Sequence, residues 1–120
     1  MHNQPPLSWP AEDLSRVPFA AYCDPAVYEQ EQERIFRGPT WNYLALEAEL
    51  PNAGDFLTTK VGDTPVLVNR DSDGALHAFV NRCMHRGMLL CRERHGNSPN
   101  FICPYHQWTY DLAGQLRAVP

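Results

Sequence analysis

The chain has 120 residues, the size of one ordinary domain, and its 43% hydrophobic and 20% charged residues exclude a disordered or fibrous polymer. A formal net charge of −4, with Lys60 as the single lysine beside nine arginines, argues against a nucleic acid or an anionic membrane surface as partner. No run approaches the roughly 20 consecutive apolar residues of a membrane span.

The opening residues, MHNQPPLSWPAEDLSRVP, lack the basic and apolar regions of a signal peptide, so a cytoplasmic location is the expectation. Residues 1–23 are Pro-rich and read as an irregular segment that wraps over a larger partner surface. A helix is predicted over about 25–37. Asp24 suits its N-cap, Pro25 its first position, and Gly38-Pro39 its stop. Val27, Tyr28, Glu31, Ile35 and Phe36 fall at helical spacing, which predicts a face docked on a core.

From Thr40 the pattern changes to short strands. WNYLALE (41–47), FLTTKVG (56–62), TPVLVNR (64–70) and ALHAFVN (75–81) are β-rich runs. Turn chemistry separates them at Pro51-Asn52-Ala53-Gly54, Gly62-Asp63 and Asp71-Ser72-Asp73-Gly74, the last a hairpin signal. A second hairpin is predicted from 101–103, 108–111 and 116–119, with Gly114 in its turn. No internal repeat is evident. Two loops, 82–99 and 104–107, interrupt a small antiparallel β domain.

These loops carry the chemistry. They read Cys83-Met84-His85-Arg86-Gly87 and Cys103-Pro104-Tyr105-His106-Gln107-Trp108, that is C-x-H, seventeen residues, then C-x-x-H. Four cysteines without a secretion signal point to metal or redox chemistry rather than disulfides. Three readings compete: four unconnected residues, a mononuclear Cys₂His₂ zinc site, and a binuclear cluster. Zinc sites usually pair like ligands, C-x₂₋₄-C then H-x₃₋₅-H. Here each loop offers one Cys and one His, which suits a cluster whose first iron takes both thiolates and whose second takes both imidazoles.

Cys83-x-His85-Arg86-Gly87 with Cys103-Pro104-Tyr105-His106-x-Trp108 resembles the Rieske motif of the large (α) subunits of aromatic-ring-hydroxylating oxygenases. Arg16-Val17-Pro18-Phe19, Glu33-Arg34-Ile35-Phe36, Trp41-Asn42-Tyr43-Leu44, Glu49-Leu50-Pro51 and Gly54-Asp55-Phe56 are similar to the N-terminal region of that subunit. The flavour is nearest the branch acting on aromatic acids such as anthranilate, salicylate or terephthalate. The resemblance implies a mostly β Rieske [2Fe–2S] domain of antiparallel strands over 40–120, with an N-terminal helical extension over 1–39. It implies Cys83, His85, Cys103 and His106 as cluster ligands, with the added electron resting on the imidazole-bound iron. It further implies electrons arriving from a reductase or ferredoxin, and an α3 or α3β3 oxygenase when full length. A stand-alone Rieske ferredoxin is the alternative.

Two departures stand out. Most relatives place Gly after the second His, where this chain has Gln107. The mononuclear Fe(II) that the family holds in a second domain, on two His and a carboxylate, has no ligands here: His2, His77 and His95 are isolated, and Val119-Pro120 stops where relatives continue. The chain reads as a fragment or a truncated frame, expected to transfer electrons without hydroxylating. Cys23 and Cys91 read as packing residues or free thiols. Arg82, Arg86, Arg92 and Arg94 crowd into thirteen positions, either as a solvated face or as a receiver for an acidic donor. Trp108 and Tyr110 are expected to pack under the loops and keep water off the sulfurs.

Overall fold

A computed structural model describes residues 7–10, 13 and 15–120, and the chain divides into two units, Met1–Trp41 and Asn42–Pro120. His2 and parts of the predicted irregular segment (1–6, 11, 12 and 14) lie outside the described residues.

In the first unit a short helix, α1 (Ala20–Cys23), occupies part of the stretch predicted as irregular. Helix α2 (Pro25–Glu31) follows, and Asp24 caps it as expected, its carboxylate accepting from the Ala26 N–H at 2.8 Å. The predicted helix to residue 37 is not one regular helix. Residues Gln32–Phe36 form a π-turn, in which the Arg37 N–H reaches back to the Gln32 carbonyl at 2.8 Å. The wider turn breaks the 3.6-residue step on which the apolar stripe depended. Ile35 within the turn and Tyr28 in the helix before it stand exposed, and Gln32 is the buried residue of the turn.

The second unit holds two antiparallel sheets. The larger, in order β3-β2-β1-β4, comprises β1 (Asp55–Val61), β2 (Thr64–Arg70), β3 (Leu76–Val80) and β4 (His95–Asn97). The smaller, in order β5-β6-β7, comprises β5 (Phe101–Ile102), β6 (Thr109–Tyr110) and β7 (Leu116–Ala118). The strands at 56–62, 64–70 and 75–81 and the second hairpin lie where they were predicted. The run at 41–47 does not form a strand: it is irregular and leads into a 3-10 turn at Glu47–Glu49, with Trp41, Tyr43 and Leu46 exposed. Its residue types favour strand, but Leu44 and Ala45 pack against the Leu50, Val66 and Val68 cluster and the run pairs with no strand, and pairing decides. β4 was missed within the predicted 82–99 loop. His-Gly-Asn has little strand preference, and it is recruited by the free edge of β1 through Asp55↔Asn97 and Leu57↔His95.

Both hairpins β2–β3 and β6–β7 close with the same turn. The Asp71 carboxylate accepts from the N–H groups of Asp73 (2.9 Å) and Ala75 (2.8 Å), and its other oxygen meets His77 Nε2 at 2.7 Å. Asp111 accepts from Ala113 (2.9 Å) and Gln115 (2.8 Å), and its other oxygen meets Arg117 Nε at 2.7 Å. Gly74 and Gly114 take the left-handed φ of 86° and 81° that each turn requires. The His77 bond pulls Asp71 below the usual carboxylate range; at Asp111 the amide and Arg117 bonds outweigh burial and do the same.

Four consecutive residues of β2, Val66 to Asn69, are buried because both faces of the strand are covered. Leu50, Val66 and Val68 pack on one side. On the other, Leu67 joins Phe56, Leu90, Phe101, Tyr110, Cys83 and Cys103. Phe101 sits edge-on between Phe56 (5.6 Å) and Phe79 (6.0 Å), joining the two sheets, and Asn69 Nδ2 donates across to the Leu112 carbonyl at 2.7 Å. Leu67 is 0% exposed. Leu67→Ala is therefore expected to lower unfolding stability by about 3 kcal/mol with little change in denaturant slope. A loss under about 1 kcal/mol in urea titration would show that this core is not continuous.

Candidate metal centre

The two cysteines belong to the core just described, and each opens a loop with the same backbone frame. The Cys83 N–H donates to the Met88 carbonyl at 2.7 Å, and the Gly87 N–H returns to the Cys83 carbonyl at 2.9 Å. Twenty residues on, the Cys103 N–H donates to Trp108 at 2.8 Å, and the Gln107 N–H returns to Cys103 at 3.0 Å. The frame needs a left-handed residue at its fifth position. Gly87 supplies φ 75°, and Gln107 supplies φ 61°, the one non-glycine with positive φ among the described residues. That explains in physical terms why glycine is the easier residue after the second histidine, and Gln107 holds the conformation at a cost of about 1 kcal/mol.

The frame buries the sulfurs and exposes the rings. Cys83 is 1% exposed and Cys103 2%, whereas His85 and His106 lie on the surface. The imidazoles of His85 and His106 stand 4.7 Å apart, tilted by 64°. Among the described residues, no three His, Cys, Asp or Glu side chains gather as the ligands of one ion would. The four predicted residues instead come together as two pairs, thiol with thiol below and ring with ring above.

The surroundings of the sulfur favour negative charge. Burial alone would raise the Cys83 thiol, but hydrogen bonds from Tyr110, the His85 N–H, the Cys103 side chain and the Arg86 N–H outweigh it and hold the thiol below its ordinary value. Tyr110 Oη accepts from the Met84 N–H at 3.0 Å, leaving its own proton directed to Cys83 Sγ at 3.4 Å. Burial and the neighbouring Cys83 raise the Tyr110 phenol, so it remains a donor. The sequence reading gave Tyr110 packing alone and missed this hydroxyl. It also missed Asn81, 2% exposed at the end of β3. The Asn81 side chain accepts from the Leu90 and Cys91 N–H groups (3.1 and 3.0 Å) and donates to the Cys91 carbonyl (2.7 Å), closing the base of the first loop. A polar residue at the end of an apolar strand just before C-x-H was the available signal.

Trp108 stacks on His85 at 4.7 Å and 9° and also packs against the core cluster that holds Cys83 and Cys103, as expected. His77 is taken by Asp71, and His95 lies on the edge strand β4. Cys23 is exposed and its thiol faces the Phe19 carbonyl at 3.4 Å; Cys91 is half-buried, and burial raises its thiol. Arg82, Arg86, Arg92 and Arg94 are all exposed.

A β-sheet domain presenting two such loops, with buried thiols beneath exposed imidazoles, has the architecture of an iron–sulfur protein of the Rieske class. The chain belongs to that family: the Rieske [2Fe–2S] domain matches residues 40–120. It is 60% identical over 114 residues to the anthranilate 1,2-dioxygenase large subunit of Burkholderia cepacia, covering 95% of this chain and 27% of that one. It is 53% identical to the large oxygenase component of salicylate 5-hydroxylase from Ralstonia sp, covering 93% and 26%. The crystal structure of naphthalene 1,2-dioxygenase from Rhodococcus sp. bound to indole superposes with a TM-score of 0.79 at 44% identity, over 87% of this chain and 23% of that one. These relatives are oxygenase subunits rather than free-standing ferredoxins, and the chain spans about a quarter of their length.

The residues present fit a [2Fe–2S] cluster. Two buried thiols and two imidazoles form the mixed donor set, and the hydrogen bonds around Cys83 compensate a thiolate in an otherwise apolar core. No helix among the described residues is long and apolar enough to cross a membrane.

Proposed function

We propose that this chain is the electron-relay domain of a ring-hydroxylating oxygenase large subunit, in which Cys83 and Cys103 hold one iron of the cluster and His85 and His106 the other. The observation that carries the reading is the pairing itself: two loops with one hydrogen-bond frame bring thiol to thiol in the core and ring to ring at the surface. When bound, the cluster supplies a one-electron couple at the surface of the domain. The chain's own residues do the rest. The Tyr110 hydroxyl and the amides of His85 and Arg86 stabilise charge on sulfur. Asn81 fixes the base of the first loop. The core residues Phe56, Leu67 and Phe101 keep water from below. The imidazoles stay open to solvent, where a partner protein can approach.

For the whole subunit, we read the electron source as a reductase or ferredoxin and the assembly as α3 or α3β3. The hydroxylation substrate is an aromatic acid, as the names of the anthranilate, salicylate and terephthalate relatives suggest. A mononuclear iron on two histidines and a carboxylate would complete that subunit. Residues 1–39 serve as an extension to the domain, and a cytoplasmic location suits its four cysteines, none of them in a disulfide.

Anaerobically purified protein is expected to be red-brown and to contain about two irons and two acid-labile sulfides per chain. Stoichiometric zinc in a colourless protein that takes up no iron on reconstitution would sink the assignment. The midpoint potential should lie near the low end of the Rieske range, about −150 mV. The additional inter-loop disulfide and the serine hydroxyl of a high-potential site have no counterpart here, since Met88, Tyr105 and Trp108 stand at those positions, and the added charge of the reduced cluster is less stabilised. Voltammetry at neutral pH giving a value well above zero would point to a respiratory-type carrier instead.

A further inference from the structure

Arg86 directly follows His85, and Tyr105 directly precedes His106. The two residues meet across the gap between the loops. The Arg86 guanidinium lies 5.5 Å over the Tyr105 ring, and Nη1 donates to the Tyr105 hydroxyl at 3.3 Å. The Tyr105 ring in turn lies 3.8 Å from the imidazole of His106. On the opposite side Trp108, from the second loop, stacks on His85 of the first. Each histidine thus lies against an aromatic ring of the second loop, and two contacts bridge the gap, Trp108 to His85 and Arg86 to Tyr105. The Arg86 charge is also left unneutralised: among the described residues, ion pairs engage Arg16, Arg70, His77 and Arg117, and not Arg86.

We propose that Arg86 is a positioning residue, a latch that grips Tyr105, sets the tilt of the His85–His106 pair, and holds a fixed positive charge beside it. The inference rests on those histidines holding the cluster. Both functions follow from one side chain. A planar guanidinium can stack and donate at once, which the point charge of an ammonium cannot do. A cation held beside the ring pair favours the form of the site that carries one more electron.

Three variants of the cluster-loaded chain separate latch from charge. Both side chains are exposed, so none removes core packing. Arg86→Lys keeps the charge and loses the fork, Arg86→Gln loses both, and Tyr105→Phe keeps the ring and loses the hydrogen bond. Release of iron to excess EDTA should accelerate roughly fivefold in Arg86→Lys and Arg86→Gln. In Tyr105→Phe it should accelerate about twofold. The electron paramagnetic resonance lines of the dithionite-reduced site should broaden in the same order. Only Arg86→Gln should become harder to reduce, by about tenfold in the reduction constant, or ~59 mV for one electron. Wild-type release and line width in Arg86→Lys would overturn the latch, and an unshifted potential in Arg86→Gln would overturn the charge. A wild-type chain with no iron–sulfur resonance would overturn the cluster reading itself, and the latch with it.

Discussion

Cys103→Ser is expected to leave the purified protein colourless, with iron falling from about two per chain to near zero. The sulfur it removes is 2% exposed and packed among Phe56, Leu67, Phe101 and Tyr110. A serine oxygen is a harder, less polarizable donor on a shorter bond, and it would leave a hydroxyl buried in an apolar cluster. Cys83→Ser should behave the same way, with the further loss of the Tyr110 contact to sulfur. Cys91→Ser is the control. Cys91 is half-buried outside the two frames, and the variant should keep its full iron. The measurement is iron and sulfide per chain after anaerobic purification. Retention of both irons in Cys103→Ser would show that the thiol pair is not what holds them.

The second large effect concerns stability. The loops enter the core through Cys83 and Cys103, and removal of the cluster leaves two thiols facing each other where bonded atoms had joined them. Chelator-stripped protein should unfold at least about 15 °C below the loaded form, which corresponds to roughly 3 kcal/mol for a domain of this size. The transition should also broaden as the loops loosen before the sheets. Calorimetry of the two forms decides it, and equal midpoints would mean that the β core stands alone without its cluster.

The features that sequence made legible are those whose causes are local. Asp71-x-x-Gly74 and Asp111-x-x-Gly114 specify their turns with side chain and backbone drawn from the same seven residues, so both hairpins could be placed. The Cys and His spacings are likewise local, and the four candidate residues come together in space. What escaped has distant causes. β4 exists because β1 has an open edge some forty residues earlier in the chain. The run at 41–47 has strand-forming residues, yet two of them pack on a side-chain cluster and the run pairs with no strand. Tyr110 reaches Met84 across 26 positions, and Asn81 clasps a backbone ten positions on; neither contact leaves a periodic trace. The π-turn at Gln32–Phe36 shows the converse limit, where an apolar spacing counted at 3.6 residues assumes the helix it was meant to reveal.

The two cysteine loops are near copies in hydrogen bonding, yet they share almost no side chains. Position by position Met84 stands against Pro104, His85 against Tyr105, Arg86 against His106 and Gly87 against Gln107, so the histidine falls one position later in the second. The clasp is therefore a modular part, defined by two backbone hydrogen bonds and one left-handed residue. A designer wishing to transplant this site would carry over two such clasps, one on the β3–β4 connection and one on the β5–β6 turn, together with the histidines they display. Gln107 shows how much latitude that grammar allows, since the chain tolerates a strained side chain where the frame asks only for a backbone shape.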